Sequence, residues 1–91
     1  MDGSSLSLID IGDLYLKHSD GTRQQALFFA IREKIVQGLW AKNGKLPSTR
    51  KLSQGLNISR NTVIAAYEQL VAEGYLISQK GSGFYVAVEL P

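Results

Sequence analysis

Residues 46–74 read LPSTRKLSQGLNISRNTVIAAYEQLVAEG, and this stretch decides the fold. Pro47 cannot continue a preceding helix and restricts the residue before it, so Ser48 is free to cap a short helix reaching about Leu56. Asn57 follows, one of the few non-glycine residues that tolerates a left-handed turn. Ser59 then caps another helix, in which Val63, Ala66, Tyr67, Leu70 and Val71 fall at i, i+3, i+4, i+7 and i+8 and form a full core stripe. Gly74 is placed to end it as a C′ glycine. Two short helices joined by about three residues, the second with a capped amino end, make a helix-turn-helix.

Upstream, Leu27, Ala30, Ile31, Ile35 and Gly38 keep helical spacing, with Thr22 a cap and Gly38 a stop. Phe29, Val36 and Trp40 form a second apolar line, read as packing under the amino-terminal segment or as a contact surface for a partner domain. Asn43-Gly44 reads as a turn. Downstream, residues 75–79 and 84–88 are rich in β-formers and flank Lys80-Gly81-Ser82-Gly83, a hairpin with a glycine-rich tip. Helix, helix-turn-helix and hairpin, in that order, predict a mainly α winged helix-turn-helix over residues 22–91. Residues 1–21 are an amino-terminal extension in which Leu6, Leu8, Leu14 and Leu16 suit short extended pieces and Ser19-Asp20-Gly21 reads as a turn.

Charge gives the scaffold a direction. Residues 1–33 and 68–91 each carry −2, whereas residues 34–67 hold Lys34, Lys42, Lys45, Arg50, Lys51 and Arg60 with no acid, a local +6. Such a concentration favours a polyanion, because each neutralised phosphate releases counterion. The chain's 91 residues allow one small domain. The absence of cysteine excludes disulfide frameworks, zinc ribbons and thiol nucleophiles. The single histidine, His18, supports neither a metal site nor a catalytic relay, and the serines fall at caps and turns, so no catalytic residue is assigned. Gly81 and Gly83 lie between two strands and open no helix, which excludes a dinucleotide fingerprint. The longest apolar run, Ala26 to Ile31, is too short to span a membrane, and no basic residue precedes Lys17 to start a secretory signal. A cytoplasmic protein is expected.

The amino end of the third helix is the expected reading head. A helix fits the major groove and offers its first-turn side chains to base edges. Behind the Ser59 cap, Arg60 reaches a guanine edge or a phosphate, Asn61 carries the donor and acceptor that adenine requires, and Thr62 meets either. Ala65 on the same side is small enough to approach a thymine methyl. Tyr67 falls on the core stripe, with its hydroxyl a candidate for phosphate. Lys51 reads equally as a phosphate anchor or a solvated lysine. At the hairpin tip, Gly81 lets backbone into the narrow minor groove and Lys80 is drawn by its negative potential.

Five motifs at joint spacing carry a resemblance. They are Leu46-Pro47-Ser48-Thr49-Arg50-Lys51-Leu52, Ile58-Ser59-Arg60-Asn61-Thr62-Val63, Ala66-Tyr67-Glu68-Gln69-Leu70, Ala72-Glu73-Gly74-Tyr75-Leu76 and Gly81-Ser82-Gly83. Together they resemble the GntR superfamily of bacterial transcription regulators, and most closely its MocR subfamily, over about residues 22–91. The resemblance implies specific double-stranded DNA binding, with Arg50 at a position that contacts DNA. It also implies a longer regulator whose second, aminotransferase-like domain holds pyridoxal phosphate on a lysine and pairs two readers. This chain is then expected to need no cofactor itself and to be mainly monomeric. Three positions depart from the family pattern: Phe84-Tyr85 stands where Thr-Phe is usual in the wing, Ser53 where a small apolar residue is usual, and Asn57 where the turn glycine is. The rival reading from another class is a winged-helix module that binds protein, and the acid-free 34–67 stretch argues against it.

Overall fold

Residues 22–89 are described by the structure, a computed structural model, as three helices followed by a β-hairpin. Helix α1 spans Arg23–Val36, α2 Thr49–Leu56 and α3 Arg60–Ala72; strands β1 and β2 span Leu76–Gln79 and Gly83–Val86. The proposed extended pieces and turn of the amino-terminal extension lie outside the described residues.

Each helix begins at a hydroxyl cap. Thr22 and Gln25 form a reciprocal capping box, in which Thr22 Oγ1 accepts from the Gln25 amide at 3.0 Å and Gln25 Oε1 from the Thr22 amide at 3.1 Å. Ser48 Oγ accepts from the Lys51 amide at 3.0 Å, and Ser59 Oγ from the Thr62 amide at 3.1 Å. Between them Asn57 takes the left-handed conformation, φ 57° and ψ 47°, which ends α2, and the chain passes to α3 through Asn57-Ile58-Ser59. Buried Ser53 is satisfied locally, donating to the Arg50 carbonyl at 2.8 Å.

The core lies where α1 and α2 pack on α3 and β1 closes the end. Leu27, Ile31, Leu52, Val63, Tyr67, Leu70 and Val86 are its most completely buried large side chains. Val71, the last residue of the α3 stripe, is only half-buried at the edge of this cluster.

The second apolar line of α1 does not survive as a line. Phe29 and Val36 are 38% and 59% exposed, whereas Trp40 is 4% exposed and joins the core. The helix ends at Val36, Gly38 turns left-handed at φ +76°, and the Leu39 and Trp40 amides both bond back to the Lys34 carbonyl. Helical spacing stops applying at that turn, and Trp40 packs into the core cluster. Phe28 takes the core position instead, edge-on to Phe29, with the Arg32 guanidinium 5.8 Å and 5.1 Å from their two ring centroids.

The hairpin pairs Leu76 with Val86, Ile77 with Tyr85, Ser78 with Phe84 and Gln79 with Gly83. Its second strand ends at Val86, short of the expected Val88, and one further bond in the same register, from the Ala87 amide to the Tyr75 carbonyl, closes the base of the hairpin where the chain leaves α3. Residues 43–46, read as a turn, also run against the free edge of β2. The Asn43 amide bonds to the Val86 carbonyl, Val86 to Gly44 and Leu46 to Phe84, with Lys45 opposite Tyr85. This edge pairing ties the hairpin to the segment that enters α2.

Candidate nucleic-acid interface

Two helix amino ends and the hairpin tip converge on the segment between residues 45 and 49. The end of α2 follows Leu46-Pro47-Ser48, and the same segment pairs with β2. Lys45, Ser48 and Thr49 on one side face Ser82 and Gly83 on the other across a groove of about 240 Å³. The tip turns at Gly81, φ +78°, with the Ser82 amide donating to the Gln79 carbonyl at 2.9 Å. A positive φ at the third position of such a turn is what glycine supplies without strain. Nothing lies within 4 Å of a Cβ added there, so conformation and not crowding demands the glycine.

Tyr67 braces α3 against both neighbours of the groove. Its ring is fully buried and meets the half-buried Phe84 ring edge-on, centroids 4.9 Å apart at 68°. Phe84 and Val86 share one face of β2, so the wing departure noted above is an inward packing contact. The Tyr67 hydroxyl donates to the Pro47 carbonyl at 2.7 Å. That bond, with the ring's burial, removes Tyr67 from the phosphate candidates. Burial also pushes the hydroxyl's pKa well above the usual tyrosine value. The folded state therefore holds its proton more tightly than the unfolded chain. The stability this contributes is complete below about pH 10 and lost above it, at up to about 1.4 kcal/mol per pH unit. Denaturation followed from pH 8 to 11 should show the fall, and Tyr67→Phe should remove it.

The cap separates the residues expected at the head of α3. Arg60 and Asn61 are exposed, and Asn61's carboxamide makes no hydrogen bond among the described residues. Thr62 is half-buried, with its hydroxyl 2.8 Å from Ser59 Oγ, so these two hydroxyls are engaged with each other. Arg60 Nε donates to Thr49 Oγ1 at 3.2 Å, joining the amino ends of α2 and α3. Arg50 and Lys51 are exposed in the first turn of α2, Lys80 and Gly81 are exposed at the hairpin tip, and Ala65 is half-buried.

The acid-free stretch is less concentrated in space than in sequence. Lys34 belongs to the last turn of α1, where the helix's negative end favours a cation. Lys45 runs beside the hairpin, its Cε 3.3 Å from where a Gly83 side chain would begin. The spacing rules missed the groove and Thr49 because an edge pairing and a contact between residues 49 and 60 carry no periodicity. Among the described residues no His, Cys, Asp or Glu cluster is arranged to hold a metal, and no helix is long and apolar enough to cross a membrane.

This geometry has relatives. The family model for bacterial regulatory proteins of the gntR family matches residues 23–86. The probable rhizopine catabolism regulatory protein MocR of Rhizobium meliloti is 40% identical over 75 residues, which cover 82% of this chain and 15% of that protein. Among solved structures, YtrA of Sulfolobus acidocaldarius, a GntR-family transcription factor, superposes with a TM-score of 0.74 at 32% identity, covering 81% of this chain and 78% of YtrA. The DNA-binding domain of AraR in complex with operator ORX1 superposes with a TM-score of 0.70 at 31% identity, covering 74% of this chain and 81% of that one. The chain spans between 12% and 17% of the lengths of the curated relatives it matches. By its matched residues and its three helices with a hairpin, the chain belongs to the gntR family of bacterial regulatory proteins and carries that family's winged helix-turn-helix DNA-binding fold.

Proposed function

We propose that this domain reads a specific operator in double-stranded DNA, with the amino end of α3 in the major groove and the hairpin tip at the adjacent minor groove. The observation that carries this reading is the convergence of the two capped helix ends and the glycine tip around an acid-free segment. Arg60 and Asn61 are the base readers, since both are exposed and helix geometry leaves their amides without an intrahelical acceptor, which also favours a nearby phosphate. Ser59 and Thr62 set the end of the helix and face the backbone. Arg50 anchors a phosphate, and Lys80 with Gly81 enters the minor groove. The likeness to the AraR domain solved with its operator supports DNA binding by this domain.

The resemblance to the MocR subfamily implies that, in a longer regulator, a downstream aminotransferase-like domain carries pyridoxal phosphate and pairs two such readers; the matched residues cover only 15% of MocR. Linking two readers makes the second binding event intramolecular and converts weak half-site affinity into tight operator binding. No part of that cofactor's site belongs to the reader in this proposal.

Selection from a randomised duplex library tests the assignment. Asn61→Ala should cost about 1–3 kcal/mol on the selected site and relax preference at one base position. Lys51→Ala should weaken all sequences evenly. An unchanged base preference in Asn61→Ala would remove α3 from the groove, and a domain that selects no sequence would restore the protein-binding alternative.

A further inference from the structure

We infer that Thr49 is a positioning residue for base reading: its hydroxyl holds Arg60 by Nε and aims the guanidinium's outer edge at the DNA. The inference rests on the proposed placement of α3 and adds a residue from the other helix.

The observation is the hydrogen bond from Arg60 Nε to Thr49 Oγ1 at 3.2 Å, between residues 11 apart in sequence at the starts of α2 and α3. Arginine offers five N–H donors in a planar fork, one on Nε and two on each Nη. With Nε engaged, the Nε–Nη side edge is no longer available as a pair. The two Nη groups remain, and they form the end-on fork that matches the O6 and N7 of guanine.

The two partners differ in a way that gives the contact its direction. Threonine is stiff at χ1, and Thr49 is half-buried in the first turn of α2, immediately after the Ser48 cap. Arg60 is exposed on a long side chain with large rotamer freedom. The fixed hydroxyl therefore orders the mobile guanidinium before DNA arrives.

Neutrality matters as much as position. A carboxylate at position 49 would hold Arg60 more firmly, yet it would cancel the cation and repel phosphate. Threonine orders the guanidinium and leaves its charge intact in a stretch, residues 34–67, that contains no acid.

The test is a double-mutant cycle on residues 1–91, titrated against a duplex of the selected sequence and against a scrambled duplex at fixed salt. Thr49→Val preserves shape and removes the acceptor. It should weaken the selected duplex about three- to tenfold, the scale of one hydrogen bond, and the scrambled duplex less than about twofold. The slope of log affinity against log salt should stay unchanged, because no phosphate cation is lost. Thr49→Ser, which keeps the acceptor, should restore selected-site affinity to within about twofold of the parent. In an Arg60→Ala background, Thr49→Val should have no further effect. Full additivity of the two changes, or equal weakening of both duplexes by Thr49→Val, would overturn the inference. If Arg60→Ala itself leaves base preference intact, the placement of α3 fails and the inference falls with it. Circular dichroism of each variant separates these outcomes from loss of fold.

Discussion

Replacing Tyr67 by alanine should leave the domain unfolded or nearly so at room temperature. The ring is fully buried at the meeting point of α3, the wing and the segment entering α2, edge-on to Phe84 and bonded through its hydroxyl to the Pro47 carbonyl. Truncating a buried aromatic of this size costs about 3–5 kcal/mol through lost transfer energy and the cavity left behind. A core in a domain this small rarely supplies more than about 3–5 kcal/mol in total. The loss therefore equals the whole margin. Tyr67→Phe keeps the ring and gives up one hydrogen bond, so it should cost only about 1–2 kcal/mol, including the Pro47 carbonyl left without its donor. Urea denaturation followed by far-UV circular dichroism checks both. A Tyr67→Ala variant with a midpoint close to the parent's would mean that the three-way packing contributes little.

Binding to DNA should fall steeply with salt. Lys45, Arg50, Lys51, Arg60 and Lys80 are exposed around the two helix ends and the wing. If four of them neutralise phosphates, log affinity should fall with log salt at a slope of about −3.6, so that a fourfold rise in salt weakens binding about 150-fold. Each cation removed should reduce the slope by about 0.9. Lys34→Ala should leave the slope unchanged, since Lys34 sits in the last turn of α1. Titrations at four or five salt concentrations decide this. A flat response would count against DNA binding altogether, and a reduced slope in Lys34→Ala would move the contact surface onto α1.

Much of the domain was legible as local chemistry. The caps at Thr22, Ser48 and Ser59, the left-handed Asn57 and the C′ glycine Gly74 each depend on a few adjacent residues, and all appear where the sequence places them. The α3 stripe needed only its helical period, which runs unbroken from Val63 to Leu70. Family membership was legible for the same reason, because its motifs are these caps and stripes at fixed spacing. The head of α3 was located from its cap, while the engagement of Thr62 with that cap emerged only from the side-chain geometry.

What the chain's order could not determine were the contacts between segments that share no period. Trp40 entered the core because Gly38 reversed the chain, which ended the helical spacing used to place it beside Phe29 and Val36. Residues 43–46 became a partner for β2 because that strand's free edge has amides and carbonyls to satisfy, and a turn-like Asn43-Gly44 gives no sign of it. Phe84 turned inward because Tyr67 presents an aromatic edge there. Thr49 met Arg60 because two independent caps start both helices beside one another. Local sequence determined which elements form, since backbone hydrogen bonding is satisfied within a few residues; burial and edge pairing, which act across the whole chain, decided what those elements touch.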